Sequence, residues 1–353
     1  MNMKKISKTL LSSILLMLLI FSCKNDDDSI DQITTVEEDQ QNIRNSISQF
    51  YDCLQSMEDG SLSQFILNTL FDSSQEFDDS YIDTLFEAFE NQYGAFLIND
   101  RFQFSNRKGV YTWNQSTSLW DVSSGSETIV IEFPSTATTS TNDVEIVFNS
   151  YSDTEASFDS DVLWLPTQIN VSMLHNNIQL VAITADNITF DTSDNFSMPT
   201  NADISIYTAP FTHTISWSRN TPTEFKFEYD FQNGSNCITQ ISAIIYTQDS
   251  NYGNITSLED DVKQFSGYVL HNDFKILFTA NIESLGNLDD ATDTDINTFV
   301  DAEVYYLDVK IGDLIYNDDE VLIVFKDGTE EDVDNYVGDF VNELELIFTE
   351  YIN

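Results

Sequence analysis

Hydrophobic residues recur with two different periods, and the first period covers the N-terminal part of the chain. From Thr35 to Glu58 they lie three or four positions apart, which predicts an amphipathic helix with one apolar stripe. Two shorter stretches with the same spacing follow. The apolar positions of the three stretches are Ile43, Ile47, Phe50, Tyr51, Leu54 and Met57; Leu62, Phe65, Ile66 and Leu70; and Tyr81, Ile82, Leu85, Phe86 and Phe89. Residues 35–100 are therefore predicted to be a helical lead-in that packs on a sheet.

Beyond Phe102 the hydrophobic residues alternate with polar ones, as they do in strands with one solvated face. Polar turns such as Asn233-Gly234 separate the alternating segments, with no helical pattern between them. The clearest segments are Ile129–Phe133, Val144–Phe148, Ile169–Met173, Ile204–Ile206, Phe211–Trp217 and Phe225–Phe231. Residues 101–280 are therefore predicted to form a large antiparallel β-meander, as a curved sheet or a half-barrel.

The end of the chain adds strands and then returns to a helical pattern. Residues 302–315 and 321–325 have the strand pattern around the acidic turn Asn317-Asp318-Asp319, and a helical spacing begins at Glu331. Residues 281–353 contain 21 acidic residues and only two basic ones. This charge imbalance predicts a separate acidic unit of strands with a terminal helix, and the predicted fold class is α+β.

The first residues have the layout of a secretory signal. Lys4, Lys5 and Lys8 precede an apolar run from Leu10 to Phe21, which is too short to span a bilayer as a helix. Ser22 and Cys23 end the run, and this ending resembles the lipobox of bacterial lipoproteins. In that family the cysteine thiol is acylated and the cysteine becomes the mature N-terminus. The resemblance implies a signal peptide over residues 1–22 and a membrane anchor of acyl chains, such as palmitate, on Cys23.

The residues after Cys23 point to a position in the envelope. Lys24 and the run Asp26-Asp27-Asp28 resemble the export signal of surface-displayed lipoproteins of some Gram-negative bacteria. The resemblance implies an acidic tether over residues 23–34 that leads to the outer surface of the outer membrane. A plain solvated tether on a lipoprotein that faces the periplasm is the alternative.

Charge excludes one class of partner. The chain has 60 acidic and 14 basic residues, and loss of residues 1–22 would remove three lysines and bring the formal charge from −46 to −49. Nucleic acid is therefore excluded as a partner, because binding to phosphates needs the opposite sign.

Two cysteines remain after Cys23. Cys53 and Cys237 could pair in an oxidising compartment and tie the N-terminal helices to the sheet. Cys53 also lies at the edge of a helical apolar face, which favours a buried free thiol over a disulfide.

The sequence contains no recognisable catalytic motif, so the chain is predicted not to be an enzyme. His175, His213 and His271 are far apart and belong to no zinc or triad pattern, although they could still meet in space. The sequence has no phosphate-binding glycine loop and no nucleophile elbow. Carboxylates are too numerous for a catalytic pair to be selected.

One acidic cluster offers a weak calcium hypothesis. Asp293, Asp295 and Asn297 have the spacing of the first three oxygen ligands of a calcium loop. Thr298 and Val304 stand where an EF-hand needs glycine and glutamate, so the cluster is not an EF-hand. The remaining cluster members are Asp289, Asp290 and Asp301. A plain solvated loop is the competing interpretation, and no other cofactor is predicted.

Aromatic residues are the other candidates for ligand contact. Phe225, Phe227, Tyr229 and Phe231 lie on one face of a predicted strand, where they would be core or would stack on a ligand. The core interpretation is favoured. Trp113, Trp120, Trp164 and Trp217 are further possible platforms.

Two functions are compatible with this sequence. The first is a non-catalytic surface module that binds a glycan, a protein or another extracellular ligand. The second is a carrier of lipid or another hydrophobic ligand, since a long sheet covered by helices resembles, at fold level only, the half-barrels of bacterial lipoprotein carriers. A hollow apolar cavity would favour the carrier.

Overall fold

The computed structural model describes residues 34–70, 79–98, 101–158, 161–191, 198–234, 237–250, 261–286, 291–318 and 320–338. Four predictions lie wholly or mostly outside these ranges. They are the signal peptide 1–22, the anchor Cys23 with all but the last residue of the tether, the cluster members Asp289 and Asp290, and the terminal helix beyond residue 338.

The three predicted N-terminal helices are confirmed. They are α1 (Val36–Glu58), α2 (Ser61–Leu70) and α3 (Ser80–Tyr93). Two short helices that the hydrophobic pattern did not indicate are α4 (Ile282–Leu285) and α5 (Asp293–Phe299). A further helix begins at residue 334. Within the described ranges, every helix is too short or too polar to cross a membrane.

The strands follow the alternating pattern of the sequence. They are β1 (Leu97–Ile98), β2 (Arg101–Phe102), β3 (Gly109–Asn114), β4 (Leu119–Ser123), β5 (Ile129–Phe133), β6 (Val144–Phe158), β7 (Asp161–His175), β8 (Ile178–Asp191), β9 (Met198–Thr208), β10 (Phe211–Thr221), β11 (Glu224–Gln232), β12 (Ile238–Thr247), β13 (Val262–His271), β14 (Phe274–Asn281), β15 (Val300–Tyr306), β16 (Val309–Asn317), β17 (Glu320–Phe325) and β18 (Glu330–Asp332).

The described residues form one two-stranded sheet, β1–β2, and one sheet of 16 strands. From β18 back to β5 each strand pairs with its neighbour in the chain, and then β3 and β4 follow. The pairing is mostly antiparallel, as predicted for a meander, while β3 and β5 pair in parallel. The sheet is not closed, since β4 and β18 are at its two ends. The α+β fold class is thus confirmed.

Residues 302–315, predicted as strand throughout, contain a turn. Leu307 and Asp308 both have positive φ, 49° and 60°, and they connect β15 to β16 as a two-residue hairpin. Such turns favour glycine and asparagine. Because leucine occupies the first turn position here, the sequence pattern did not predict a turn.

The chain divides into two compact units, and each has its own core. Of the described residues, those at 34–55 and 217–338 form unit 1, and those within 56–216 form unit 2. The described residues within 281–338 belong to unit 1 together with β11–β14, and β14 pairs directly with β15. In unit 1 the buried side chains of α1 pack on strands from β12 to β17. In unit 2 those of α3 pack on β3 to β6.

A disulfide joins Cys53 of α1 to Cys237, directly before β12, with the two Cα atoms 5.7 Å apart. The expectation of a free thiol at Cys53 is therefore wrong. Both cysteines are buried, as that expectation required, but the fold places their side chains together across a separation of 184 residues. The cross-link ties the first helix to the sheet of unit 1.

Candidate functional site

An open cleft of about 370 Å³ lies in unit 2, where β2 and the turn after it meet the middle of β6. A volume of this size is at the lower end of what ligand sites in proteins occupy. Its walls combine aromatic and polar side chains. The lining residues are Arg101, Phe102, Gln103, Phe104, Ser105, Asn106, Tyr151, Ser152 and Asp153.

The first wall begins with the β1–β2 hairpin, in which Ile98 pairs with Arg101. A 3-10 helix over Phe104–Asn106 follows it, and the ring of Phe104 is buried in the core of unit 2. The ring of Phe102 makes an edge contact with Tyr151, with ring centroids 4.9 Å apart. Burial of Phe104 and the contact of Phe102 fix this wall against the sheet.

The second wall is a part of β6 that has a partner strand on one side only. β5 pairs with β6 as far as Ile129 opposite Phe148, whereas β7 pairs with it to the end of the strand. Among the described residues, positions 150–158 therefore pair only with β7. The cleft borders this free edge at residues 151–153.

Arg101 is the central side chain of the site. Its Nε donates to Asp153 Oδ2 at 3.0 Å and its Nη2 donates to Oδ1 at 2.8 Å, which is a bidentate ion pair. The guanidinium carbon lies 3.7 Å from the ring centroid of Trp164. The Arg101 side chain is 46% exposed, and that of Asp153 is 6% exposed. The guanidinium is thus held in one orientation while part of it faces solvent.

Electrostatics keep two of the ionisable lining groups, Arg101 and Tyr151, in one protonation state near neutral pH. The hydrogen bond to Asp153 raises the pKa of Arg101 above its ordinary value. Burial, followed by the nearby Asp153 carboxylate, raises the pKa of Tyr151. Arg101 therefore stays charged and the Tyr151 hydroxyl stays protonated.

The rim of the cleft has unused hydrogen-bonding capacity. Asn106 donates from Nδ2 to Gln103 Oε1 at 3.0 Å, which orients its amide. Within the described residues, Asn106 Oδ1, the Ser105 hydroxyl and Arg101 Nη1 have no protein partner. Arg101, Ser105 and Asn106 are exposed at residue level. These donors and acceptors are available to a ligand with several polar groups.

The three histidines do not meet in the structure. His175 Nε2 lies 3.1 Å from Asp143 Oδ2, and the Ser135 hydroxyl donates to the same carboxylate at 2.8 Å. Burial alone would raise the pKa of Asp143, but the hydrogen bonds from Ser135 and His175 outweigh it and lower that pKa. The carboxylate lies between the serine and the histidine, so that His175 has no contact with Ser135 of the kind that activates a nucleophile.

His271 and His213 occupy structural positions. His271 is fully buried in unit 1, and its Nδ1 is 3.0 Å from Thr239 Oγ1. His213 is half-buried in unit 2, and its Nε2 is 3.4 Å from Thr208 Oγ1. No group of three or more metal-ligating His, Cys, Asp or Glu side chains occurs in the part of the chain that the structure describes.

The three calcium candidates lie on α5, where their oxygens bind protein groups. Asp295 and Thr292 form a reciprocal capping box at the helix start. Asp318 N donates to Asp293 Oδ2 at 3.0 Å, and Tyr316 N donates to Asn297 Oδ1 at 2.7 Å. Each of the three side chains thus has a different protein partner. Calcium binding stays a prediction.

The aromatic candidates are mostly core. Phe225 and Phe231 are buried, and Phe227 and Tyr229 pack against the core of unit 1. The core interpretation of this ladder is therefore confirmed. The four tryptophans have three different environments. Trp113 and Trp120 are in the core of unit 2, and Trp217 stacks on Phe225 with ring centroids 5.4 Å apart. Trp164 lies against the guanidinium of Arg101.

The sequence indicated only one member of this site. Trp164 was a candidate platform, but Arg101 and Asp153 had no pattern to distinguish them among many charged residues. The one available signal was that Arg101 is one of 14 basic residues in a chain with 60 acidic ones.

Comparisons of this chain with protein-family models, with curated proteins and with solved structures gave no match.

Proposed function

We propose that this protein is a lipid-anchored, non-catalytic binding module of the bacterial cell envelope, and that it binds its ligand in the Arg101–Asp153 cleft. The observation that carries the proposal is the fixed guanidinium of Arg101, which is held by Asp153 and Trp164 but is still partly exposed in an open cleft. A polar group that is oriented before the ligand arrives loses little conformational freedom on binding.

The chemistry of the cleft supports binding rather than catalysis. Acid–base catalysis needs a group that changes protonation near the working pH. The pKa values of Arg101 and Tyr151 are both shifted upward, away from neutrality. Near neutral pH these two groups act as hydrogen-bond donors of constant charge.

The disulfide supports a location outside the cytoplasm. Structural disulfides persist in oxidising compartments, which include the periplasm and the cell surface. The Cys53–Cys237 bond agrees with the signal peptide and the anchor proposed for residues 1–23.

The cleft also favours a binding module over a carrier of lipid. A carrier encloses apolar surface, whereas this cleft is open and bears polar side chains along both walls, Gln103 and Asn106 on one and Ser152 and Asp153 on the other. The carrier stays an alternative that the cleft does not favour.

Anchoring is tested in the native bacterium with the full chain. Metabolic labelling with an alkyne analogue of palmitate is expected to mark the wild type and a Ser29→Ala control, and to fail with Cys23→Ser. Protease added to intact cells is expected to digest the anchored protein. Equal labelling of Cys23→Ser would exclude the anchor, and protection in intact cells but not in lysed ones would exclude surface display.

A further inference from the structure

We propose that the Arg101–Asp153 cleft binds a neutral saccharide. The inference rests on the proposed binding function and names the ligand class of the same site. Three features of the cleft carry it: its hydrogen-bonding groups, its charge and the short length of free strand edge that it reaches.

The hydrogen-bonding groups suit a ligand that is rich in hydroxyls. A hydroxyl both donates and accepts, so it matches a wall that offers both functions. Arg101 Nη1 donates, Asn106 Oδ1 accepts, and the Ser105 hydroxyl does either. The half-buried rings of Phe102 and Tyr151 also line the cleft and add apolar surface for contact with the C–H groups of a sugar ring.

The charge of the cleft favours a neutral ligand over an anionic one. Arg101 and Asp153 are the two charged lining residues, and they neutralise each other at 2.8 Å. An anionic ligand would have to compete with Asp153 for the guanidinium and approach a chain whose formal charge is −49 once residues 1–22 are removed. A cationic ligand would compete with Arg101 for a carboxylate that is 6% exposed.

The strand edge does not favour a peptide. A peptide that adds a strand to a sheet needs a run of free backbone together with pockets for alternate side chains. The cleft reaches the free edge of β6 at only three positions, 151–153, and Arg101 already contacts the side chain of one of them, Asp153. Three positions are too few for such a ladder.

The test compares two serine-to-tryptophan variants of the full chain. Ser152 is an exposed strand residue that lines the cleft, and its hydroxyl is 2.9 Å from Thr167 Oγ1 of β7. Ser152→Trp removes that contact and places a large side chain, of a type that strands tolerate, at the wall of the cleft. Ser123 is an exposed strand residue outside the cleft, and Ser123→Trp is the matched control. Arg101→Lys is the second test, since lysine keeps the charge but loses the bidentate fork and the stacking on Trp164.

Detergent-extracted wild type and variants, each checked by thermal unfolding, are screened on an array. The array carries neutral hexose oligosaccharides, uronic-acid and sulfated oligosaccharides, and peptides. Titration calorimetry then measures Kd for the best ligand. We expect the wild type and Ser123→Trp to bind a neutral oligosaccharide equally, and Ser152→Trp and Arg101→Lys each to weaken binding by about tenfold or more.

Other results separate the two proposals. If only anionic saccharides or peptides bind, and Ser152→Trp abolishes that binding, the saccharide inference is overturned while the binding function stands. If neutral saccharides bind equally well to Ser152→Trp and to Arg101→Lys, the assignment to this cleft is overturned. If no probe of the three classes binds, both the ligand class and the proposed binding function are overturned.

Discussion

The two units of this protein stabilise their N-terminal helices in different ways. In unit 1, α1 is held by a disulfide, by an ion pair at 3.2 Å between the buried Asp39 and the partly exposed Lys326, and by a buried contact between Phe50 and His271. In unit 2, α3 is held mainly by aromatic packing, in which Phe89 is in contact with four other rings, those of Tyr93, Phe96, Tyr111 and Trp120.

The difference has a consequence for how each unit responds to its surroundings. Disulfides and buried histidines depend on redox conditions and on pH, whereas aromatic packing depends on neither. Unit 1 should therefore lose stability when the protein is reduced or acidified, and unit 2, which contains the cleft, should respond to changes in packing.

The largest expected effect is removal of the disulfide with Cys53→Ala and Cys237→Ala. The bond closes a loop of 184 residues, and loss of a cross-link over such a loop destabilises the fold by about 5 kcal/mol through the entropy of the unfolded chain. Urea denaturation with and without reductant measures this free energy of unfolding. Reductant should bring the wild type to the level of the double variant. Alkylation of both cysteines in the unreduced, denatured wild type would contradict the cross-link.

The second effect tests the aromatic core of unit 2. Phe89 is fully buried, so Phe89→Ala is expected to cost about 4 kcal/mol through lost packing and the cavity it leaves. Phe86→Ala, on the same helix but half-buried, is the control and should cost clearly less. Hydrogen exchange should show the loss of protection in β3–β5. Equal costs for the two variants would mean that the packing around Phe89 does not stabilise unit 2.

The third prediction is that acid lowers the stability of unit 1 through the buried His271, with His213 of unit 2 as the comparison. Burial lowers the pKa of His271 to about 4 from 6.5, so between these values the unfolded chain binds a proton that the folded chain excludes. Stability is complete above pH 6.5 and falls by about 3 kcal/mol as the pH falls to 4. Asn272 Nδ2 donates to Nε2, which leaves Nδ1 to donate to Thr239. This network therefore fits the neutral ring.

Urea denaturation at several pH values checks the His271 effect. His271→Gln should remove part of the loss of stability between pH 6.5 and 4. His213→Gln is the control in unit 2, because burial lowers the pKa of His213 as well but that ring is only half-buried. An unchanged pH dependence in His271→Gln would show that the buried ring does not sense acid.

The hydrophobic pattern predicted the elements of this fold because helices and strands depend on neighbours a few positions apart. It predicted α1, α2 and α3 and the alternating strands of the large sheet. It did not predict the parallel pairing of β3 with β5, because both parallel and antiparallel neighbours show the same alternation in a short strand.

Most residues of the candidate site could not be predicted, because a hydrophobic pattern reports only on neighbours a few positions apart. Arg101 and Asp153 are 52 positions apart, and their contact depends on the packing of the β1–β2 hairpin against β6. Cys53 and Cys237 are separated even further, by 184 positions. No local pattern encodes a contact over such distances, so composition could show only that cysteines and cations are few.

The smallest expected effect separates the calcium hypothesis from helix capping in unit 1. Asp295 accepts from the Thr292 backbone at 3.0 Å and from its hydroxyl at 2.6 Å, and these hydrogen bonds lower its pKa. Asp295→Ala is expected to cost about 1 kcal/mol by loss of the capping box, and to cost the same with and without calcium. Thr294→Ala, an exposed position of the same helix that is outside both the box and the acidic cluster, is the control. If millimolar calcium raises the Tm of the wild type but not of Asp295→Ala, the Asp295 carboxylate binds calcium in addition to capping the helix. The stability of unit 1 would then depend on calcium as well as on reductant and acid.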